Sequence, residues 1–221
     1  MGETMKILVT GAKGFVGKNL VAELKNRGFE NIYEVTRNTE LVLLDQFTSD
    51  CDFVFHLAGV NRPKNEEEFM EGNFEFTSQL LKMLQKHNNK APILLSSSIQ
   101  AERDNAYGKS KKAGEDLLFN YSKELGIPVY IYRLPNLFGK WSKPNYNSVV
   151  ATFCHNIARN LEIQINDPNV ELNLCYIDDV LDEFVRALEG NPTKQGKYCI
   201  VPISHKIKLG ELADLIKSLD R

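Results

Sequence analysis

No run of this sequence is apolar for long enough to cross a bilayer, and no charged-then-apolar leader with a small-residue cleavage site opens it. A soluble, cytoplasmic protein is expected. Excess charge is missing as well: 27 Lys and Arg face 29 Asp and Glu, a formal net charge of -2. No nucleic-acid surface is indicated, and any anion must be held by local geometry rather than by a basic field. The four cysteines, Cys51, Cys154, Cys175 and Cys199, include no C-x-x-C pair and no metal-ligand spacing. They read as buried, reduced packing residues, and no metal site is expected. Repeats and low-complexity linkers are lacking too.

What is present is ordinary globular composition, 43% hydrophobic and 25% charged over 221 residues, enough for one large α/β domain. Short β-branched or aromatic runs alternate with longer helical periods. Strands are predicted over 6–10, 32–36, 53–57, 93–95 leading into Ser96, Ser97 and Ser98, and 129–132. Val16, Leu20 and Leu24 mark one helix, stopped by Gly28. Phe76, Leu80, Leu81 and Leu84 mark another, ending near His87, and a third covers 107–124. Continuous apolar strands separated by helices imply a doubly wound parallel sheet, Rossmann-like, with ligands at the carboxyl ends of its strands.

Beyond Leu137 the pattern is less regular. Helices over 148–159, 179–188 and 209–219 and strands over 172–176 and 198–201 are predicted. The division expected is a cofactor-binding core over about 5–136, then a small C-terminal substrate-binding lobe with returning core elements over about 137–221. A helical pattern runs uncapped to Arg221, which points to a longer natural chain.

At the junction of the first strand and first helix stands Thr10-Gly11-Ala12-Lys13-Gly14-Phe15-Val16-Gly17. In such a turn the first glycine permits the bend, the second lets the backbone approach a pyrophosphate, and the third lets the helix pack closely. The helix start then offers free N–H groups to phosphates, which makes Gly11, Lys13, Gly14, Phe15, Val16 and Gly17 candidate cofactor residues. The spacing is G-x-x-G-x-x-G rather than G-x-G-x-x-G. An enzyme using NAD would place Asp or Glu at the end of the second strand. This sequence has Thr36 and Arg37 there, and a guanidinium suits a 2′-phosphate. NADPH is therefore the cofactor expected, with Lys13 as a second positive charge.

Tyr107 and Lys111 lie i, i+4 on one predicted helix and share a face. A neighbouring ammonium is expected to stabilise the phenolate, bring the tyrosine below its ordinary pKa of about 10, and make it a proton donor near neutral pH. A hydroxyl from the preceding serine strand can polarise the same carbonyl oxygen.

These motifs, with His56-Leu57-Ala58-Gly59, Asn73, Arg133-x-x-Asn136 followed by Gly139, and Tyr176-Ile177-Asp178-Asp179-Val180, resemble the extended short-chain dehydrogenase/reductase family in kind and order. The resemblance implies Tyr107 as general acid, Lys111 on the nicotinamide ribose, and Ser98, with Ser97 as second choice, as the hydroxyl partner. It implies Leu57, Ala58, Gly59 and Leu134 along the cofactor, Asn136 and Tyr176 at the sugar nucleotide, and His56 as a structural residue. A two-fold homodimer through the helices around 74–87 and 107–124 is also implied.

Residues Gly139 to Val149, with Ala151 to Cys154, Ile157 to Asn160 and Leu95 to Gln100, are similar to the capsular-polysaccharide reductases of that family. This implies reduction, with NADPH, of the C4 ketone of a UDP-2-acetamido-2,6-dideoxy-hexulose on the way to UDP-N-acetyl-L-fucosamine. It also implies a C-terminal metal-binding cupin domain that these 221 residues do not contain. The sequence departs from the family twice. The serine run and Tyr107 are closer together than in most extended members. The arginine that often precedes Tyr-x-Asp-Asp is missing, with Leu172 and Asn173 near its place. Diphosphate contacts are then expected from Lys140, Lys143 or Asn147, and Trp141 and Tyr146 either stack on uracil or pack the lobe. A dehydratase of the common type carries acidic residues just after the catalytic hydroxyl, whereas Ile99 and Gln100 follow Ser98.

Overall fold

Strand β1 (Ile7–Thr10) alternates its side chains between two separate cores, and that alternation organises the domain. Ile7 and Val9 face one core, built with Leu20, Val21 and Leu24 of α1 (Phe15–Asn26) and with Val180, Phe184 and Leu188 of α7 (Ile177–Leu188). Leu8 faces the other, built with Leu44 of α2 (Leu41–Asp50), Leu80, Leu81 and Leu84 of α4 (Phe76–Lys86) and Leu118 and Tyr121 of α5 (Ala106–Leu125). The same split recurs at β3 (Phe53–His56), where Phe53 and Phe55 face the first core and Val54 the second. Each such side chain, fully removed from water, contributes on the order of 1.5–3 kcal/mol. The architecture is thus a sheet sandwiched between helical layers, as the continuous apolar strands imply.

This computed structural model describes residues 4–60, 65, 67–146 and 148–219. Along with β2 (Ile32–Val35), β4 (Ile93–Ser98), β5 (Val129–Leu134), β8 (Lys194–Gln195) and β9 (Tyr198–Cys199), the main sheet has the order β2-β1-β3-β4-β5-β9-β8. All neighbours are parallel except β8 with β9. The chain passes from β1 outward to β2 and then back across β1 to β3. The carboxyl edge between β1 and β3 is therefore the switch point, where open α/β sheets bind ligands.

The second lobe is a three-stranded sheet, β10 (His205–Lys208), β7 (Glu171–Tyr176) and β6 (Asn136–Phe138) in that order. It packs with α6 (Val149–Ile157) and α8 (Leu209–Leu219) around Phe153, Leu174, Leu212 and Ala213. Helix α7 and strands β8 and β9 return to the main layers. No helix among the described residues is long and apolar enough to cross a membrane.

The serine run forms the last half of β4, with Ser96, Ser97 and Ser98 pairing with Tyr132, Arg133 and Leu134. Other sequence expectations are corrected. Cys51, Cys175 and Cys199 are buried, but Cys154 is exposed on α6. Thr36 leaves β2 to form a turn, its amide donating to Thr39 Oγ1 at 2.9 Å. Helix α2 carries no predicted period, because Leu41, Val42 and Leu43 are exposed and only Leu44 and Thr48 are buried. Between α3 (Glu67–Met70) and α4 the helix widens into a π turn over Glu71–Glu75.

Candidate active site

The glycine turn closes directly onto the strand beside it. Gly11 has a positive φ of 69°, and a Cβ there would lie 2.8 Å from the Ala58 amide nitrogen and the Leu57 carbonyl carbon. A Cβ at Gly17 would lie 2.1 Å from the Gly11 carbonyl oxygen, so the third glycine seats α1 on the turn itself. The turn is tied to β2 by the Ala12 amide donating to the Val35 carbonyl at 3.2 Å. Helix α1 starts at Gly14 with no side-chain cap and no acidic residue in its first turn. That leaves positive backbone charge facing the switch point, with Phe15 and Val16 packed inward on the core and Lys13 exposed.

Beneath the turn runs a buried polar chain. Thr10 Oγ1 accepts the Leu57 and Ala58 amides, both at 3.1 Å, and stands 2.7 Å from His56 Nδ1. His56 Nε2 stands 2.8 Å from Thr77 Oγ1, which donates to the Asn73 carbonyl at 3.0 Å. The Thr77 proton being committed, His56 must carry its own on Nε2, and Thr10 donates to Nδ1. Burial first, then the charge of Lys111, pushes His56 down to about 3, so it is neutral. The histidine thus locks the β3 end to the glycine turn.

Asn73, in the π turn, continues the chain. Its Oδ1 accepts the Val60 amide at 3.0 Å, and its Nδ2 donates to Ser110 Oγ at 3.0 Å. A Cβ at Gly59 would lie 2.9 Å from Lys111 Nζ and 3.0 Å from Asn73 Oδ1, so Gly59 makes room for the lysine amine.

Ser98, Tyr107 and Lys111 come together at this edge. Asn105 caps α5, accepting the Gly108 amide at 2.7 Å, which fixes the first turn where Tyr107 stands. The Ser98 hydroxyl accepts the Gln100 amide at 3.1 Å and stands near enough to the Tyr107 phenol to favour its ionised form. Ser97 is committed elsewhere, donating to Glu115 at 2.6 Å, which leaves Ser98 as the serine beside the phenol. Lys111 Nζ lies over the Tyr107 ring, 5.8 Å from its centroid.

The expected acidification of the phenol is not what this geometry gives. Burial raises Tyr107 above its ordinary value, with only the Ser98 hydrogen bond opposing it. Lys111 itself is pulled down to about 8 by burial, against the Glu115 carboxylate. On each group desolvation outweighs the neighbour that opposes it, Ser98 for the phenol and Glu115 for the amine.

The remaining sequence candidates are spread more widely. Arg37 is exposed just past β2. Leu134 ends β5 in register with Ser98, its side chain in the core. Asn136 is exposed at the start of β6, and Lys143 is exposed in the loop that follows. Tyr176 is partly exposed and packs its ring 5.4 Å from Phe138. Asn147 lies outside the described residues. Trp141 is exposed and does not enter the lobe core. It closes a groove of about 380 Å³ on α1, lined by Lys13, Lys18, Val21, Lys25 and Glu34 among others. Its loop is held there by Asn19, which donates to the Lys140 carbonyl at 3.0 Å.

Two features escape sequence reasoning. Phe69 of α3 packs edge-on against Tyr107, 5.4 Å between centroids, and no periodicity announces it. Glu115 has no exposure and pairs with Arg133. Its spacing of four from Lys111 was the available signal.

Known proteins bear on this arrangement. The UDP-2-acetamido-2,6-beta-L-arabino-hexul-4-ose reductase of Pseudomonas aeruginosa is 49% identical over 210 residues, 95% of this chain and 56% of that protein. The crystal structure of the capsular polysaccharide assembling protein CapF from Staphylococcus aureus superposes with a TM-score of 0.88 at 51% identity, covering 98% of this chain and 58% of that one. The chain therefore spans a little over half the length of these relatives. RMD from Pseudomonas aeruginosa complexed with NADPH shares the fold, with a TM-score of 0.79 at 23% identity over 100% of this chain and 83% of that chain. The profile of the NAD dependent epimerase/dehydratase family matches residues 7–200. A Rossmann-like sheet, a glycine turn at its switch point and a Ser98–Tyr107–Lys111 cluster beside it accord with that match, and the chain belongs to the NAD dependent epimerase/dehydratase family, the extended short-chain dehydrogenases/reductases.

Proposed function

We propose that this chain is an NADPH-dependent reductase of the C4 ketone of a UDP-2-acetamido-2,6-dideoxy-hexulose, serving capsular polysaccharide precursor synthesis. The observation that carries the reading is the convergence of Ser98, Tyr107 and Lys111 at the sheet edge beside the glycine turn, where Ser98 interacts with the phenol and Lys111 stands over its ring. The 49% identity to a reductase of that substrate class points the same way.

A dinucleotide fits the residues present. Side chains at Gly11 and Gly17 would collide with backbone, so the turn has to be bare, and the uncapped start of α1 faces it with positive charge. Gly11, Lys13, Gly14, Phe15, Val16 and Gly17 would hold the diphosphate, Arg37 the 2′-phosphate, and Leu57, Ala58, Gly59, Leu134, Tyr107 and Lys111 the nicotinamide half. Bound there, the reduced nicotinamide supplies a hydride to the ketone carbon. Ser98 and Tyr107 hydrogen-bond the ketone oxygen, and Tyr107 gives it a proton as its charge develops. The Lys111 ammonium stabilises the phenolate left behind and orients the ribose. The balance is one hydride and one proton added to one carbonyl. Asn136, Lys143, Asn147 and Tyr176 would contact the UDP-sugar.

The same reading makes about 5–136 the cofactor core and about 137–221 mostly the substrate lobe. It places the enzyme in the cytoplasm, where its nucleotide-sugar is made, as a homodimer through α4 and α5, testable by sedimentation. A cofactor-retaining epimerase consumes no NADPH, and a dehydratase lacks its acidic pair at Ile99 and Gln100. The test is to supply UDP-linked 4-keto sugars and follow loss of reduced-nicotinamide absorbance. One NADPH per sugar is expected, and Tyr107→Phe should abolish turnover while keeping cofactor affinity. Product without NADPH loss, or full activity in Tyr107→Phe, overturns the proposal.

A further inference from the structure

Glu115 and Arg133 form a charged pair that the proton-donor chemistry does not itself use. Glu115 stands one turn after Lys111 on α5 and has no exposure. Its Oε1 accepts from Ser97 Oγ at 2.6 Å and Arg133 Nε at 2.9 Å. Its Oε2 accepts from Arg133 Nη2 at 2.7 Å and Tyr198 Oη at 3.0 Å. The carboxylate is fully satisfied, and the fork-to-fork geometry is the strong kind. The Arg133 guanidinium lies 4.2 Å from the Tyr198 ring centroid, and its remaining arm donates to Glu102 at 2.7 Å.

Stability alone is a poor account of such a pair, since well-packed apolar residues of similar volume often serve a core as well or better. Its placement is more telling. Ser97 immediately precedes Ser98 on β4, and Arg133 is its register partner on β5. Glu102 closes the one-turn 3-10 helix over Ile99–Glu102 that Ser98 caps. Ser98 is therefore bracketed. The residue before it is bonded to the helix that carries Tyr107 and Lys111, and the turn after it is bonded to β5, both through one ion pair.

We infer that the Glu115–Arg133 pair, with Ser97 and Glu102 as its two arms, positions Ser98 against Tyr107. These are positioning residues, acting through Ser98, and the inference rests on the reductase reading above. A misplacement of about 1 Å can cost up to a hundredfold in rate, so loss of one arm should be visible in turnover.

The test uses Glu102→Ala and Ser97→Ala, alone and combined with Ser98→Ala, beside Arg133→Lys and Arg133→Met. The Glu102 side chain is 76% exposed, so its removal should leave folding intact. Each arm variant is expected to lower kcat about three- to tenfold with the KM for NADPH within about twofold. In the Ser98→Ala background neither should lower it further, because the group they position is gone. Arg133→Lys should retain more turnover than Arg133→Met. In the cofactor-free chain, the Gln100 amide that bonds Ser98 should exchange its hydrogen faster in both arm variants. Losses that multiply with Ser98→Ala, unchanged kcat, or Gln100 exchange equal to wild type would overturn the inference. If the wild type turns over no keto-sugar, the reductase reading falls, and Gln100 exchange still decides whether the pair holds the Ser98 turn.

Discussion

Acidification should destabilise this domain in a way that one buried residue, His56, makes measurable. The imidazole is 1% exposed and neutral in the folded chain, pushed down to about 3, whereas an unfolded histidine titrates near 6.5. The folded value is the depressed one, so the unfolded state binds the extra proton between these limits. Stability is therefore full above pH about 6.5 and falls as pH drops toward 3, by at most about 1.4 kcal/mol per pH unit. From pH 7.5 to 5.0 the linkage amounts to about 2 kcal/mol, or roughly 4–8 °C in Tm for a domain of this size. The perturbation is His56→Gln, which keeps a donor and an acceptor and cannot take up the proton. It should be less stable than wild type at pH 7.5, because the bonds to Thr10 and Thr77 are remade imperfectly. Its unfolding free energy should nonetheless fall less steeply on acidification, measured by urea denaturation at a series of pH values. The other three histidines are common to both proteins and cancel in the difference. Parallel pH profiles for wild type and His56→Gln would refute the buried, neutral assignment.

The glycine turn predicts a contrast: Gly17→Ala should lower stability by about 1–3 kcal/mol, seen as a drop in thermal midpoint, because its Cβ meets a backbone oxygen at 2.1 Å. Gly14→Ala, with its nearest backbone contact at 3.2 Å, should unfold closer to wild type while weakening NADPH binding in a fluorescence titration. Lys111 loses its ammonium as pH rises through about 8, so kcat/KM should fall above that pH. In Lys111→Arg any remaining activity should lack this alkaline limb. Arg37→Ala should cost about ten- to hundredfold in NADPH affinity and little in NADH affinity, measured by equilibrium titration.

What could be read in advance follows from how local each signal is. The β1 and β3 strands and the α1, α4 and α5 helices are written in apolar periods that a single face dictates, so their existence was legible. The lobe strands β6 and β10 are short and half-exposed, with Lys206 and Lys208 in a four-residue strand, and they leave no period to find. The π turn over Glu71–Glu75 inserts extra length into a helical pattern and places Asn73 where two backbone groups and Ser110 need it. Nothing in the local sequence distinguishes it from an ordinary turn of helix.

The site divides along the same line. Spacing alone places Tyr107 and Lys111 on one face, since that is a property of the helix. It cannot fix the direction of their pKa shifts, because burial and charge oppose each other and burial is decided by other elements. Glu115 is the sharpest case. Four residues after Lys111, it looks like half of a solvent-exposed ion pair, and one position along, Lys112 and Asp116 do form that surface pair. What makes Glu115 different is its contact with Arg133, 18 residues away on the neighbouring strand, and with Tyr198, 83 residues away. A buried charge becomes intelligible only when its distant partner is in place. The groups that orient the reacting hydroxyls are therefore the least legible part of the site, while the hydroxyls themselves are among the most.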